Sequence, residues 1–371
     1  MKFKLFGILI VLVLIPQYAF GSGDVTYGLG TINDLASDGA NVYYFESDKD
    51  AKSATWMPDT ALKANDGMNA KNLSEKRFIY PTGIEQDRKH LYFVALSENC
   101  IGQMLCDYQD LFKMSKKDGN ITVLAKDLRA LSHLSLDNDM LYVSESNGKI
   151  WRISPDGTKS LVFQTNNIIM DTVSKDGVTY WIEEVSDQNS TVLRIDDNIS
   201  PKIIAKDLKI PYDLAIHEKT VYWNEIYVKL VGGTFSEFTM IKSGKNDKEA
   251  QTLMEFQNTS PISKGLGTPH YGPYLIAQDY LILVNNTNSP SVLQMVNLHN
   301  KTAYDVSASL NYDVKYLRSD DNFVYVIGTN PDGFVIGKYA LPVTVPEFPS
   351  GIIIMSVALS SIVILQRFWR S

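Results

Sequence analysis

Three aspartates and a histidine are the residues best placed by type to do chemistry in this chain of 371 residues. Asp34, His133, Asp171 and Asp213 each stand ahead of an apolar–Tyr/Trp–apolar run, at corresponding points of a recurring pattern. Carboxylates gathered from separate segments can hold a divalent cation such as calcium, or a cationic ligand. A histidine among them supplies a general acid or base. The same aspartates also suit a structural role, capping strand ends and accepting hydrogen bonds from neighbouring backbone. No linear motif decides between these readings. The chain lacks a Gly-x-Ser-x-Gly elbow, a His-Glu-x-x-His pair, a phosphate loop, a dinucleotide fingerprint and an EF-hand phrase. The five histidines, His90, His133, His217, His270 and His299, are scattered, and no cofactor is evident.

The elements that must position these residues are legible as a repeat. An acidic or polar turn precedes an apolar–aromatic run at Asp38–Phe45, Asp87–Val94, Asp137–Val143, Lys175–Ile182 and His217–Trp223, with weaker copies at Asp279–Val284 and Asp320–Val326. The third copy resolves into four short runs: Leu131–Leu136, Met140–Glu145, Lys149–Ile153 and Lys159–Gln164. They are separated by Asp-Asn-Asp, Asn-Gly and Asp-Gly turns, the strongest short-range hairpin signals. A strand repeat of this period implies an all-β ring of four-stranded antiparallel blades, a β-propeller. Seven copies predict seven blades, or six if the copy at Leu281 is an insertion. The last blade shows only three strands. Val25–Leu29 has no partner of its own, so it is expected to close that blade and remove the exposed edges. The anchors Tyr43, Tyr92, Tyr142, Tyr180 and Tyr222 repeat in one phase and are expected to pack between blades.

In such a ring the innermost strands line a central channel. The positions expected at its mouth are Asp34, Thr82, His133, Asp171, Asp213, Tyr274 and Lys315. Glu46, Glu145, Glu183, Glu184 and Glu225 end the second strands and are expected to solvate the outer turns. Lys229–Gly233 and Ser260–Pro273 read as long loops. Gly265–Tyr274 reads either as a blade connection or as a contact loop with exposed aromatics for carbohydrate or peptide.

Tyr180-Trp181-Ile182-Glu183 and Tyr222-Trp223-Asn224-Glu225 sit where YWTD propellers carry Tyr-Trp-Thr-Asp. The third strands end in an apolar-x-Arg/Lys-Ile/Met phrase before Asp-Gly. In both respects the chain resembles the YWTD and related propeller families across most of residues 30 to 340, which implies the same fold.

The two ends predict export and anchoring. Residues 1–22 have the form of a signal peptide: Lys2 and Lys4, an apolar Leu5–Ile15, then Pro16 and the small Ala19 and Gly21. Residues 24–342 would form the propeller and 343–350 a stiff, proline-bearing stalk. Residues 351–367 would form one transmembrane helix, and 368–371 a cytoplasmic tail. The arginines Arg367 and Arg370 place that tail inside, which leaves the body outside. Pro346-Glu347-Phe348, the apolar segment and the basic end resemble the PEF-CTERM type of archaeal surface-protein sorting tail. That resemblance implies an archaeosortase that cuts near the motif and attaches the protein to a lipid.

Cys100 and Cys106, the only two cysteines, suit a disulfide in an exported protein. Sequons at Asn72, Asn120, Asn189, Asn198, Asn258, Asn285 and Asn300 predict surface loops where they carry glycan. A net charge of −7 with no basic block excludes nucleic acid as a partner class. The expected function is a monomeric, surface-anchored binding module for a protein, peptide or glycan. The alternative is an extracellular propeller enzyme, a hydrolase, lactonase, lyase or cyclotransferase, built from Asp34, His133, Asp171 and Asp213.

Overall fold

The computed structural model describes residues 24–28, 32–47, 59–66, 69–101, 103, 106–129, 131–186, 189–196, 200–245, 250–257, 274–285, 291–307, 310–331 and 333–342. The predicted signal peptide, stalk, membrane segment and tail lie outside the described residues, as do Gly265–Pro273, Asn198 and Asn258.

The described strands sort into seven antiparallel sheets of four. The first strand, β1 (Asp24–Gly28), belongs to the last of them. Blade one is β2 (Ile32–Ser37), β3 (Val42–Ser47), β4 (Asp59–Asn65) and β5 (Ala70–Ile79). Blade two is β6 (Thr82–Gln86), β7 (His90–Leu96), β8 (Tyr108–Ser115) and β9 (Ile121–Arg129). Blade three is β10 (Leu131–Asp137), β11 (Met140–Glu145), β12 (Lys149–Ile153) and β13 (Lys159–Gln164). Blade four is β14 (Ile168–Lys175), β15 (Val178–Ser186), β16 (Asn189–Ile195) and β17 (Lys202–Leu208). Blade five is β18 (Pro211–His217), β19 (Thr220–Val231), β20 (Thr234–Gly244) and β21 (Gln251–Gln257). Blade six is β22 (Tyr274–Ala277), β23 (Tyr280–Asn285), β24 (Val292–Asn297) and β25 (Ala303–Asp305). Blade seven is β26 (Asp313–Ser319), β27 (Phe323–Asn330), β28 (Gly333–Ala340) and the returning β1.

The ring closes twice over. The inner strands touch in succession from β2 through β6, β10, β14, β18, β22 and β26, and β26 touches β2. Within blade seven, β1 pairs antiparallel with β28, Thr26 opposite Ile336. The Leu281 copy is therefore a true blade, and the count is seven.

The recurring Asp and Tyr have a shared physical cause. In blades one, two and seven the turn aspartate accepts two backbone N–H groups of its own turn. It also accepts the hydroxyl of a tyrosine in the following strand: Tyr43 to Asp38 at 2.6 Å, Tyr92 to Asp87 at 2.7 Å and Tyr325 to Asp320 at 2.8 Å. The ring of the tyrosine packs inside while its hydroxyl locks the hairpin. All five anchor tyrosines are buried. Between blades one and two, Phe45, Phe78, Phe93 and Phe112 form a cluster of edge-to-face and stacked rings 4.8–5.9 Å apart. Each such ring contributes about 1.5–3 kcal/mol by burial.

Three expectations are corrected. Glu145, Glu183 and Glu225 do not solvate outer turns, because all three are buried. Glu183 accepts Trp181 Nε1 at 3.2 Å and Glu225 accepts Trp223 Nε1 at 3.0 Å, so each carboxylate satisfies a buried indole. Glu225 also pairs with Lys242 at 2.9 Å, and Glu145 accepts the Arg129 amide at 3.1 Å. Lys229–Gly233 is not a loop: β19 stays paired with β20 as far as Val231 opposite Thr234. The hairpin turns at Gly232 and Gly233, whose φ values of 58° and 85° suit the left-handed turn that two glycines permit. Tyr274, expected in an exposed loop, is buried in β22.

Cys100 and Cys106 form a disulfide between β7 and β8. Of the sequons, Asn72, Asn120 and Asn300 are exposed. Asn285 lies at the end of β23. Asn189 begins β16 half-buried, its amide donating to Asp207 at 3.2 Å.

Candidate functional site

The inner strands carry a shared irregularity. In six of the seven blades the ladder between first and second strand slips register near its start: between Ile32 and Leu35, Thr82 and Ile84, Leu131 and His133, Ile169 and Asp171, Tyr212 and Ala215, and Val314 and Tyr316. A bulge of this kind bends the strand and re-aims its side chains. Leu35, Ile84, Thr172 and Leu317 pair with Tyr44, Phe93, Trp181 and Val326, which makes them equivalent. The residues just before them are Asp34, Gly83, Asp171 and Tyr316. His133, just before Leu134, takes the same place in blade three, and Asp213 lies within the slip of blade five. Thr82 and Lys315 are thus one residue out of phase. Two residues further along, on the same strand face, stand Glu85 and Arg318.

Asp34, Glu85, His133 and Arg318 line one cavity of about 370 Å³, together with Thr82 and Leu214. Their partners sort the charges. Arg318 binds the Asp34 carboxylate through two guanidinium nitrogens, at 2.8 and 2.9 Å. His133 Nδ1 meets Asp171 Oδ1 at 2.9 Å. Asp34 and Asp171 share a second duty. Each accepts the amide of its own successor, Leu35 at 2.8 Å and Thr172 at 2.7 Å. Each also accepts an amide of the next blade's inner strand, Ile84 at 3.2 Å and Leu214 at 2.6 Å. These two aspartates therefore stitch adjacent blades together, as the structural reading of them requires. Thr82 is engaged by Gln109 at 3.3 Å, and Tyr274 donates its hydroxyl to the Asp213 carbonyl.

Glu85 and Asp213 are different. Among the described hydrogen bonds and ion pairs none reaches either carboxyl group. Burial pushes the Glu85 carboxyl up to about 7, helped by Asp34 and opposed by Arg318 and His133. Asp213 is exposed yet crowded by protein. That crowding and the Asp171 charge push it up to about 6, against the pull of Arg318 and His133. At Asp171 burial also works upward, but the His133 charge and hydrogen bonds from His133, Leu214 and Thr172 outweigh it and hold the group low. Burial disfavours the His133 cation, yet Asp171 and Glu85 raise its pKa overall.

The structure thus brings Asp34, His133, Asp171 and Asp213 to one end of the channel. Sequence reasoning missed Glu85 and Arg318. Their signal was the alternation of the inner strand, two residues beyond the bulge, which is usable only once the bulge is located.

No family model matches the chain, and no curated protein matches it. Solved structures match over most of its length. The chain is similar to the β-propeller domain of the Trilobed protease from Pyrococcus furiosus, described as having an open velcro topology. There the identity is 9%, the match covers 84% of this chain and 96% of that one, and the TM-score is 0.57. It is also similar to the WD40 β-propeller domain of Doa1, at 11% identity, 86% and 96% coverage and a TM-score of 0.51. At such identities the likeness establishes the propeller fold.

Proposed function

We infer that the channel mouth binds a cationic group, the amine or guanidinium of a protein or peptide partner, and that the propeller works as an interaction module. One observation carries this reading. Glu85 in the cavity wall and the exposed Asp213, which feels the charges of Asp171, Arg318 and His133, have no described partner, whereas Asp34 and Asp171 are already matched by Arg318 and His133. A desolvated cation is stabilised by carboxylates held in place beforehand, and the cavity is of the size that takes one side chain or a chain terminus.

The setting of this module is read from the chain's ends. A signal-like start, a proline-bearing segment at 343–350 and an apolar segment at 351–367 support export and display at the cell surface. The likeness of Pro346-Glu347-Phe348 to an archaeal sorting tail supports lipid attachment there. Trp181 and Trp223 support kinship with the YWTD propellers.

Titration calorimetry with a panel of short peptides tests the binding reading. Peptides bearing a free amine, Lys or Arg are expected to bind, and their acetylated or citrulline counterparts to fail. The double variant Glu85→Gln/Asp213→Asn is expected to lower affinity at least tenfold. Equal binding of charged and neutral peptides, or an unaffected double variant, would sink it.

A second reading has one observation in its favour. Asp171 holds His133 through Nδ1, which orients an imidazole beside the cavity as a general base is oriented. An extracellular hydrolase or lyase would use that pair, and cleavage of a bound peptide during the titration would reveal it.

A further inference from the structure

The end of β18 remote from Asp213 carries a second constellation. His217 closes β18 in blade five. Asp279 lies in the two-residue turn between β22 and β23, and His299 in the turn between β24 and β25, both in blade six. Asp279 Oδ1 stands 3.1 Å from His217 Nε2 and 3.2 Å from His299 Nε2. The three donor atoms all lie within 4.8 Å of one another. A tetrahedral ion with bonds of about 2.0–2.1 Å holds its donors about 3.3 Å apart, so the two carboxylate–imidazole edges already have the right length.

A pair of simple histidine–aspartate ion pairs does not account for His217. Its Nε2 is buried, and although the Asp279 oxygen is near, it makes no hydrogen bond among the described residues. The nitrogen faces the cluster without being aimed as a donor at that oxygen, as a lone pair directed at a shared ion is. The two rings meet at 69°, centroids 6.4 Å apart, and so converge on the carboxylate instead of stacking. The two turns of blade six are held to each other and braced: Leu298 N–H donates to the Asp279 carbonyl at 2.8 Å. Asn297 Oδ1 accepts the His299 and Asn300 amides at 2.9 and 3.1 Å.

We propose that His217, Asp279 and His299 form a transition-metal site that clips blade five to blade six. Two imidazoles and one carboxylate select zinc and its first-row neighbours over calcium or magnesium, which prefer oxygen-only shells. His299 is exposed, so a further coordination position opens to water or to an outside ligand. The location gives the clip a purpose. Blade six contains the two shortest strands described, β22 with four residues and β25 with three. An ion bound only by the folded ring stabilises it by mass action.

The test uses the full-length chain, stripped with chelator and titrated with Zn²⁺ by calorimetry and with Co²⁺ by visible absorption. The expected result is one equivalent bound, cobalt d–d bands of a low-symmetry nitrogen–oxygen site, and a raised melting temperature reversed by chelator. His299→Gln changes an exposed side chain and leaves folding intact. It is expected to weaken binding at least tenfold, as is Asp279→Asn, with the metal-free melting temperature of His299→Gln unchanged. Absence of stoichiometric uptake overturns the proposal. So does uptake that survives both substitutions, or uptake lost in His133→Gln but kept in His299→Gln, which would put the metal at the channel mouth.

Discussion

Asp87 shows at the scale of one residue why the repeat has its spelling. Its carboxylate accepts the Lys89 and His90 amides at 2.6 Å each, the Tyr92 hydroxyl at 2.7 Å and His90 Nδ1 at 3.1 Å. Burial alone would raise this group, but those bonds outweigh it and hold the carboxyl down to about 2. A depressed carboxylate contributes its stability above the ordinary value of 3.8 and loses it as pH falls through about 2. Asp87→Ala is expected to cost about 2–3 kcal/mol at pH 7, from lost charge-assisted bonds and an unpaired tyrosine hydroxyl. Chemical denaturation checks this, and the deficit should shrink below pH 3. The same scale sets the limit of sequence reading. Asp and Tyr are visible as a recurring pair because they lock the same hairpin in blades one, two and seven. Glu85 and Arg318 recur nowhere, so periodicity passes over them. The buried Glu183 and Glu225 look solvated in sequence because their indole partners are two residues away on the same strand, a contact that only packing reveals.

At the scale of the element, strand limits were most legible where turn chemistry was strongest. In blade three, β11, β12 and β13 run between the residues that Asn-Asp, Asn-Gly and Asp-Gly turns delimit. The arm of β19 and β20 was misread because its exposed Val228, Leu230 and Val231 have no core to mark them as strand, and only the Gly232-Gly233 turn betrays the hairpin. Bulges leave no sequence mark of their own, since six different residue sets share one backbone slip. The element with the largest predicted consequence is β1. It supplies the fourth strand of blade seven through five paired residues. Deleting Asp24–Gly28 is expected to cost about 3–5 kcal/mol, taking each lost ladder bond at about 1 kcal/mol. It also uncovers β28 as an open edge, so sedimentation should reveal more self-association in the truncated protein than in the parent.

At the scale of the whole molecule, the ring gathers what the chain disperses. Asp34 and Arg318 lie far apart in sequence, yet they pair because blade seven closes on blade one. That closure neutralises one side of the channel mouth and leaves the Glu85 and Asp213 carboxyl groups for a ligand. On the proposed function these two groups, when ionised, capture a cation. Both carboxyls are raised, to about 7 and about 6, so both are largely protonated at pH 5 and ionised at pH 8. Binding of a cationic peptide must therefore strengthen as pH rises. The measurement to make is the affinity of one Lys- or Arg-bearing peptide between pH 5 and pH 8, for the parent and for Glu85→Gln/Asp213→Asn. A gain of about tenfold or more is expected in the parent, since each ionisation shifted by one pH unit is worth about 1.4 kcal/mol, and a clearly smaller gain in the variant, where loss of the His133 charge remains. A parent affinity that stays flat or falls with rising pH would contradict it.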